Sequence, residues 1–235
     1  MRNALFLHIQ KTAGTSIQSV ARSAYGPDNV ASHGDFLALG LAGCERLPFV
    51  SGHFGFEFAK PLMERRYCFT FLRNPVDRLL SLYAFCSAQQ SDDFEIYRVA
   101  RRMGLEDFLR LSDREPYRRN IWNNQVWQLA VGYGQERSSL EFSDAELIGM
   151  AKKNLRAFDY VGFVDTFDND AADIFNELGI SNFELGRFNS SSSAELKANL
   201  APSAVAMLLE NTKLDRELYR YAWWRYGVLR SFRRR

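Results

Sequence analysis

The chain reads as an α/β domain with a mostly parallel central sheet and a helix-rich C-terminal half. Three observations predict this. Continuous apolar runs, without the alternation of a half-exposed strand, recur at 4–9, 47–52, 67–72 and 160–164, as strands covered on both faces require. The first, third and fourth runs pass through a few polar residues into a helical pattern, the strand-turn-helix order of parallel sheets. No repeat, linker or composition shift interrupts the 235 residues, a length that one domain fills. A single domain over 1–229 is predicted, with a disordered basic tail at 230–235.

The first strand, Ala4 to Ile9, is interrupted only by His8. The helix after it is marked by Ile17, Val20, Ala21 and Ala24 at i, i+3, i+4 and i+7, and Gly26-Pro27-Asp28 stops it. The mixed stretch from Asn29 to Arg46 reads as loop with room for a short helix. Leu47 to Gly52 is a strand that delivers His53 just past its end, and Tyr67 to Leu72 is the strongest strand of the chain. Asn74-Pro75 then supplies an N-cap and a first-turn proline, followed by the stripe Val76, Leu79, Leu80 and Tyr83. Helical segments fill 93–132, the clearest from Arg119 to Val131 with Trp122 and Trp127. Ser143 and Glu146 have capping-box spacing for a helix to about Phe158. A strand at Tyr160–Val164, a helix from Asp168 to Leu178 stopped by Gly179, and a long amphipathic helix from Pro202 to Tyr226 complete the chain.

Composition narrows the functional classes. The 46% hydrophobic and 25% charged fractions are those of a globular protein, and a net charge of +2 does not argue for nucleic acid. The basic clusters near Arg114–Arg119 and at Arg230–Arg235 fit solvated faces. Cys44, Cys68 and Cys86 are odd in number and lack metal-ligand spacing, so reduced thiols in a reducing compartment are expected, with Cys68 and Cys86 in the core. No apolar stretch reaches the roughly 18 residues of a membrane span, which predicts a cytoplasmic protein. Oligomeric state is not legible here.

In folds of this kind ligands bind beyond the carboxyl ends of the strands, and Lys11, His53 and Arg73 each follow a strand. Lys11, Thr12, Ala13, Gly14, Thr15 and Ser16 offer an ammonium, hydroxyls and backbone N–H groups at a helix start, which is chemistry for a phosphate or sulfate. The string differs from the nucleotide P-loop GxxxxGK[ST], because its Lys precedes its single Gly; a capped helix start is the plain alternative. Arg73 can grip a second phosphate bidentately, and Ser81, on the Asp77 face of the following helix, can add a hydroxyl. His8 and His33 fit core histidines satisfied by hydrogen bonds, and no metal-binding cluster is visible in the spacing.

The stretches HIQKTAGTS, SGHFGF and FLRNPVDRLLSLY, in this order, resemble sulfotransferases of the heparan sulfate 2-O-sulfotransferase type and their bacterial relatives. NNQVWQLAVG, YVGFVDTFD and the segment Leu214–Tyr219 extend the resemblance over most of the chain. The resemblance implies a P-loop-NTPase-like three-layer fold and the cofactor 3′-phosphoadenosine-5′-phosphosulfate (PAPS; product PAP), without a metal. It assigns Lys11, Thr12, Ala13, Gly14, Thr15 and Ser16 to the 5′-phosphosulfate, Arg73 and Ser81 to the 3′-phosphate, and Arg187, Asn189 and Ser190 to a late loop near the cofactor. Gln10 stands where relatives commonly have Pro. His53 in SGHFGF matches the family's catalytic His, and a His titrating near 6.5 suits removal of a hydroxyl proton at neutral pH. Lys11 would also stabilise charge on the bridging oxygen as the bond breaks.

The implied acceptor is a hydroxylated compound, a sugar or glycan in the first instance. Asn123, Asn124 and Gln125 are candidates to line its groove, with Arg119 (and Arg118) for an anionic acceptor. Trp122 and Trp127 fit an acceptor wall or an ordinary helix core equally well. Two other classes stay open at this point: a P-loop-type nucleotide kinase or hydrolase, which needs a metal-binding carboxylate where this chain has Arg73, and a non-catalytic nucleotide- or glycan-binding module.

Overall fold

The computed structural model describes residues 1–133, 137–186, 192–228 and 230. Strand β1 (Ala4–Leu7) leads into helix α1 (Gly14–Tyr25). The stretch expected as loop holds β2 (Val30–Ala31) and α2 (Asp35–Glu45), a helix kinked at Gly40, whose φ is 59°. A strand of two residues is too short to show a period, and α2 leaves Leu37, Leu39 and Leu41 exposed, so neither carried a readable pattern. Then come β3 (Phe49–Gly52), α3 (Phe56–Ala59), β4 (Tyr67–Leu72) and α4 (Pro75–Ala88). The Asn74 side chain caps α4 as expected, accepting from the N–H groups of Val76 at 3.1 Å and Asp77 at 3.3 Å.

Helices α5 (Glu95–Arg102) and α6 (Leu105–Arg110) follow. The helix expected over 119–131 is two, α7 (Arg118–Ile121) and α8 (Asn124–Ala130). Asn123 separates them in the left-handed region, with φ 41°, which Asn tolerates better than most residues. Helix α9 (Asp144–Leu155) carries the predicted Ser143–Glu146 capping box, and β5 (Tyr160–Phe163) and α10 (Phe167–Leu178), closed by Gly179 at φ 74°, lie as read. After α11 (Ser192–Ala198), the single C-terminal helix expected is instead α12 (Pro202–Asn211), α13 (Lys213–Ala222) and a π-helical turn at Trp223–Val228. The break sits at Thr212, whose hydroxyl donates back to the Leu208 carbonyl at 2.7 Å.

The five strands form one parallel sheet in the order β2-β3-β1-β4-β5. Successive side chains of β1 face opposite layers. Ala4 and Phe6 pack with Ile17, Val20 and Ala21 of α1 and with Ile174, Phe175 and Leu178 of α10. Leu5 and Leu7 face the other layer, which holds Phe36, Phe56, Val126, Leu147, Ala151, Leu214 and Leu218. A third apolar cluster joins α4, α5 and α6 to Ile121 and Leu208. The chain leaves β1 toward β2 and β3 on one side, and β4 and β5 on the other, so the switch point lies between β1 and β4, where such sheets bind ligands.

All three cysteines are free and buried, Cys44 included. No helix of the described residues is long and apolar enough to cross a membrane. The expected disordered tail needs correction at its first residue. Arg230 is anchored: its guanidinium donates to Asp170 Oδ1 and the Val161 carbonyl, both at 2.7 Å, and stacks 3.9 Å from the Tyr160 ring. Residues 231–235 lie outside the described residues.

Candidate active site

A cavity of about 1040 Å³ opens over the carboxyl ends of β1, β3 and β4, and Lys11, His53 and Arg73 all line it. The three strand-end groups therefore converge as predicted. The β1–α1 loop also contributes Gln10, Ala13, Gly14, Thr15 and Ser16 to the wall, and α4 contributes Ser81. Thr12 does not reach it: the side chain is fully buried and its hydroxyl donates to the Ile9 carbonyl at 2.7 Å, tying the loop to the strand. Ser16 both lines the cavity and donates to the Gly186 carbonyl at 2.6 Å.

The loop gets its shape from an unusual source. Lys11 and Ala13, rather than the glycine, take the left-handed conformation, with φ 68° and 65°. Such alternation turns successive N–H groups toward one point, an anion-binding concavity. It feeds an α1 N-terminus with no side-chain cap and no acidic residue in its first turn, so the orphan N–H groups and the positive end of the dipole stay available. Gly14 is required for space: a Cβ there would lie 1.8 Å from His8 Nε2, and the ring cannot swing away easily because it stacks on Phe6 and lies against the tilted ring of His53. Gly14→Ala is expected to cost about 1–3 kcal/mol of stability through overpacking. Denaturant unfolding checks this, and the loss should shrink when His8→Ala is added to the same chain.

Two cations meet at this point. Arg73 Nη1 donates to the Lys11 carbonyl at 3.1 Å, which brings the β4 loop onto the β1 loop. Burial, with the Arg73 charge behind it, pulls the Lys11 ammonium down to about 8, the response of a cation lacking a nearby carboxylate. Its Nζ rests 3.9 Å from the Phe85 ring. Burial likewise lowers Arg73, against the pull of Asp77 and Asp165. An anion bound here would relieve both.

His53 follows β3. Its ring Nδ1 lies 2.9 Å from the His8 carbonyl, which can only accept, so Nδ1 carries the proton and Nε2 keeps a lone pair. Burial lowers His53 to about 4, below the ordinary value assumed from sequence, with His33 and Lys11 adding to the shift and the His8 hydrogen bond opposing it. The ring is thus a neutral base throughout the neutral range. Gln128, fully buried, braces the arrangement by donating to the His8 and Phe54 carbonyls at 3.0 and 2.9 Å.

His8 and His33 are not the separate core histidines expected. Both line the cavity, with ring centroids 4.4 Å (His8–His53), 5.5 Å (His33–His53) and 6.0 Å (His8–His33) apart. The spacing in sequence hid this cluster because the three residues sit 20 or more positions apart on different loops.

The candidate acceptor residues divide. Arg119 lines the cavity, beside Asn120 and Tyr133, whose hydroxyl donates to Asn120 Oδ1 at 2.8 Å. Asn123, Asn124 and Gln125 do not line it; all three are buried and occupied with backbone. Asn123 Oδ1 accepts from the N–H groups of Leu214 and Asp215, Asn124 donates to the Arg119 carbonyl, and Gln125 holds both the N–H and the carbonyl of Arg73, at 3.1 and 3.0 Å. Their polarity serves positioning, which a sequence cannot distinguish from ligand contact. Trp122 and Trp127 pack in the core layer. Arg187, Asn189 and Ser190 lie outside the described residues.

A family model described as "Sulfotransferase family" matches residues 2–222. Among solved structures, the mouse sulfotransferase SULT7A1 complexed with PAP is similar over 91% of this chain and 74% of that chain, at 16% identity and a TM-score of 0.41. No curated protein matches.

Proposed function

The chain belongs to the sulfotransferase family, and from that membership we propose that it moves a sulfuryl group from PAPS to a hydroxyl of a carbohydrate-class acceptor, as a relative of the heparan sulfate 2-O-sulfotransferase type. The observation that supports the nucleotide most directly is the pair of cations, Lys11 and Arg73, drawn together beside an uncapped helix start, with burial lowering both. The cavity is large enough for a nucleotide and an acceptor side by side.

Lys11 and the N–H groups from Ala13 to Ser16 would hold the 5′-phosphosulfate, and Arg73 with Ser81 the 3′-phosphate. When bound, the nucleotide supplies the activated sulfuryl group. His53 Nε2 takes the acceptor's hydroxyl proton, with Nδ1–H anchored on the His8 carbonyl so that the ring faces the cavity. Lys11 places positive charge where the leaving oxygen develops its own. Arg119 offers a contact for acidic groups on the acceptor. The kinase reading is disfavoured because β4 runs into Arg73, where a magnesium-dependent enzyme places a carboxylate.

Calorimetry with PAP tests the binding half. Wild type should bind, and Arg73→Ala should weaken binding by about 10- to 150-fold, the worth of a charge-assisted hydrogen bond. Affinity should fall as pH rises through about 8, where Lys11 loses its charge, and Lys11→Arg should flatten that dependence. A wild type that binds no PAP ends the proposal. Transfer of labelled sulfate from PAPS to a panel of glycan, lipid-linked and small-molecule alcohols then identifies the acceptor.

A further inference from the structure

We propose that His8, His33 and His53 form a three-imidazole site for a divalent transition-metal ion of the zinc class, open to the cavity on its fourth side, and that an ion there silences His53 as a base. The fold assembles this site from three separate loops. One ring nitrogen from each histidine lies within 4.8 Å of the other two. A zinc ion holding three imidazoles at about 2.0–2.1 Å in tetrahedral geometry sets their ring centroids about 5 Å apart. The observed centroid separations of 4.4, 5.5 and 6.0 Å bracket that value.

The supporting contacts are those of a metal centre. A ligating histidine commonly donates its second ring N–H to a backbone carbonyl, which fixes the tautomer, and His53 does this with the His8 carbonyl at 2.9 Å. The Gln18 amide nitrogen donates to His8 Nδ1 at 3.4 Å and to Ser51 Oγ at 3.2 Å, so His8 ligates through Nε2 only with its proton shifted to Nδ1 and the Gln18 amide turned to accept it; Phe6 stacks on the His8 ring. His33 is a non-glycine residue at φ 48°, a strained conformation that needs a reason; here its own carbonyl accepts from the His53 N–H at 3.0 Å while its ring turns toward the other two. His33 is exposed, so its side chain can move the remaining distance to close on an ion. Neighbouring Lys11, which lowers both His8 and His53, opposes the ion's charge and keeps the site weaker than a structural zinc centre.

The inhibitory half of the proposal rests on the role given to His53 above: the lone pair on Nε2 cannot hold a metal and accept a proton together. The binding half does not depend on it, and the experiment separates them. Metal-stripped protein is titrated with Zn²⁺ by calorimetry and with Co²⁺ by visible absorption, without PAPS or acceptor. The expected result is one equivalent per chain, with tetrahedral cobalt bands and no thiolate-to-cobalt band. His33→Ala, at an exposed position that leaves the core intact, should weaken binding at least about 10-fold, with His8→Gln as a second ligand removal. Absence of saturable binding, a thiolate band, or wild-type affinity in both variants would overturn the site. In a transfer assay Zn²⁺ should then inhibit wild type reversibly, with recovery on chelation, and at matched concentration inhibit His33→Ala less. Tight binding without inhibition keeps the site and refutes the silencing of His53.

Discussion

Replacing His53 with alanine is expected to lower kcat for sulfuryl transfer by about 10²- to 10⁴-fold, the usual contribution of a positioned general base, while PAP binding is retained. Retention follows from geometry, because the nucleotide contacts are assigned to the β1–α1 loop, Arg73 and Ser81, and His53 enters the cavity from the β3 loop. The wild-type pH profile carries a second expectation. In the proposed mechanism the active form is neutral His53, which burial keeps neutral down to about 4. The acid limb of kcat/KM in the metal-free enzyme should therefore fall with a midpoint near 4, well below an ordinary imidazole. His53→Gln distinguishes chemistry from scaffolding: its amide can still donate to the His8 carbonyl, yet it cannot accept a proton, so it should refold the loop without restoring turnover. Wild-type kcat in His53→Ala would remove the base from the mechanism.

Asp215→Ala is expected to destabilise the protein by about 3–5 kcal/mol, the cost of leaving a buried charge without its opposite. Arg78 is fully buried in α4; its Nη2 donates to the Asn120 carbonyl at 3.1 Å, and Nε and Nη1 have no hydrogen-bond partner among the described residues. The Asp215 carboxylate is the leading charge that offsets burial of that guanidinium. It also accepts from the N–H groups of Gln125 at 3.2 Å and Val126 at 2.7 Å, capping α8 from a distant part of the chain. Urea unfolding should show a lower midpoint with an unchanged slope. Since Gln125 grips the Arg73 backbone, folded variant molecules should bind PAP more weakly as well, a coupling absent if Asp215 is a surface-like charge. A stability loss under 1 kcal/mol would show that Arg78 finds another partner.

Much of this site was legible in the sequence, and the reasons are local. Strand β4 and the cap of α4 depend on residues adjacent in the chain: an apolar hexapeptide, then Asn74, whose side chain reaches N–H groups two and three residues on. The placement of Lys11, His53 and Arg73 needed only the rule that parallel strands end on one edge. Where the reading missed, the deciding interaction was distant. Asn123, Asn124 and Gln125 have the side chains of a sugar-binding groove, and Asn123 hydrogen bonds to residues more than 90 positions away turn that segment inward. Asp215 lay within a stretch resembling the family, yet nothing in its neighbours marks it as the counter-charge of Arg78.

By itself, then, the sequence determined a parallel α/β sheet with Lys11 and a helix start, an Arg–Ser pair and a histidine at its carboxyl edge, because hydrophobic period, caps and turn residues act over a few positions. Tertiary structure alone decided the rest. It set Lys11 and Ala13 in the left-handed region with Gly14 beneath the His8 ring, lowered His53 by burial so that its ring stays neutral, and gathered His8, His33 and His53 from three loops. Those outcomes depend on desolvation and on distances between strands, and neither quantity exists until the chain has folded.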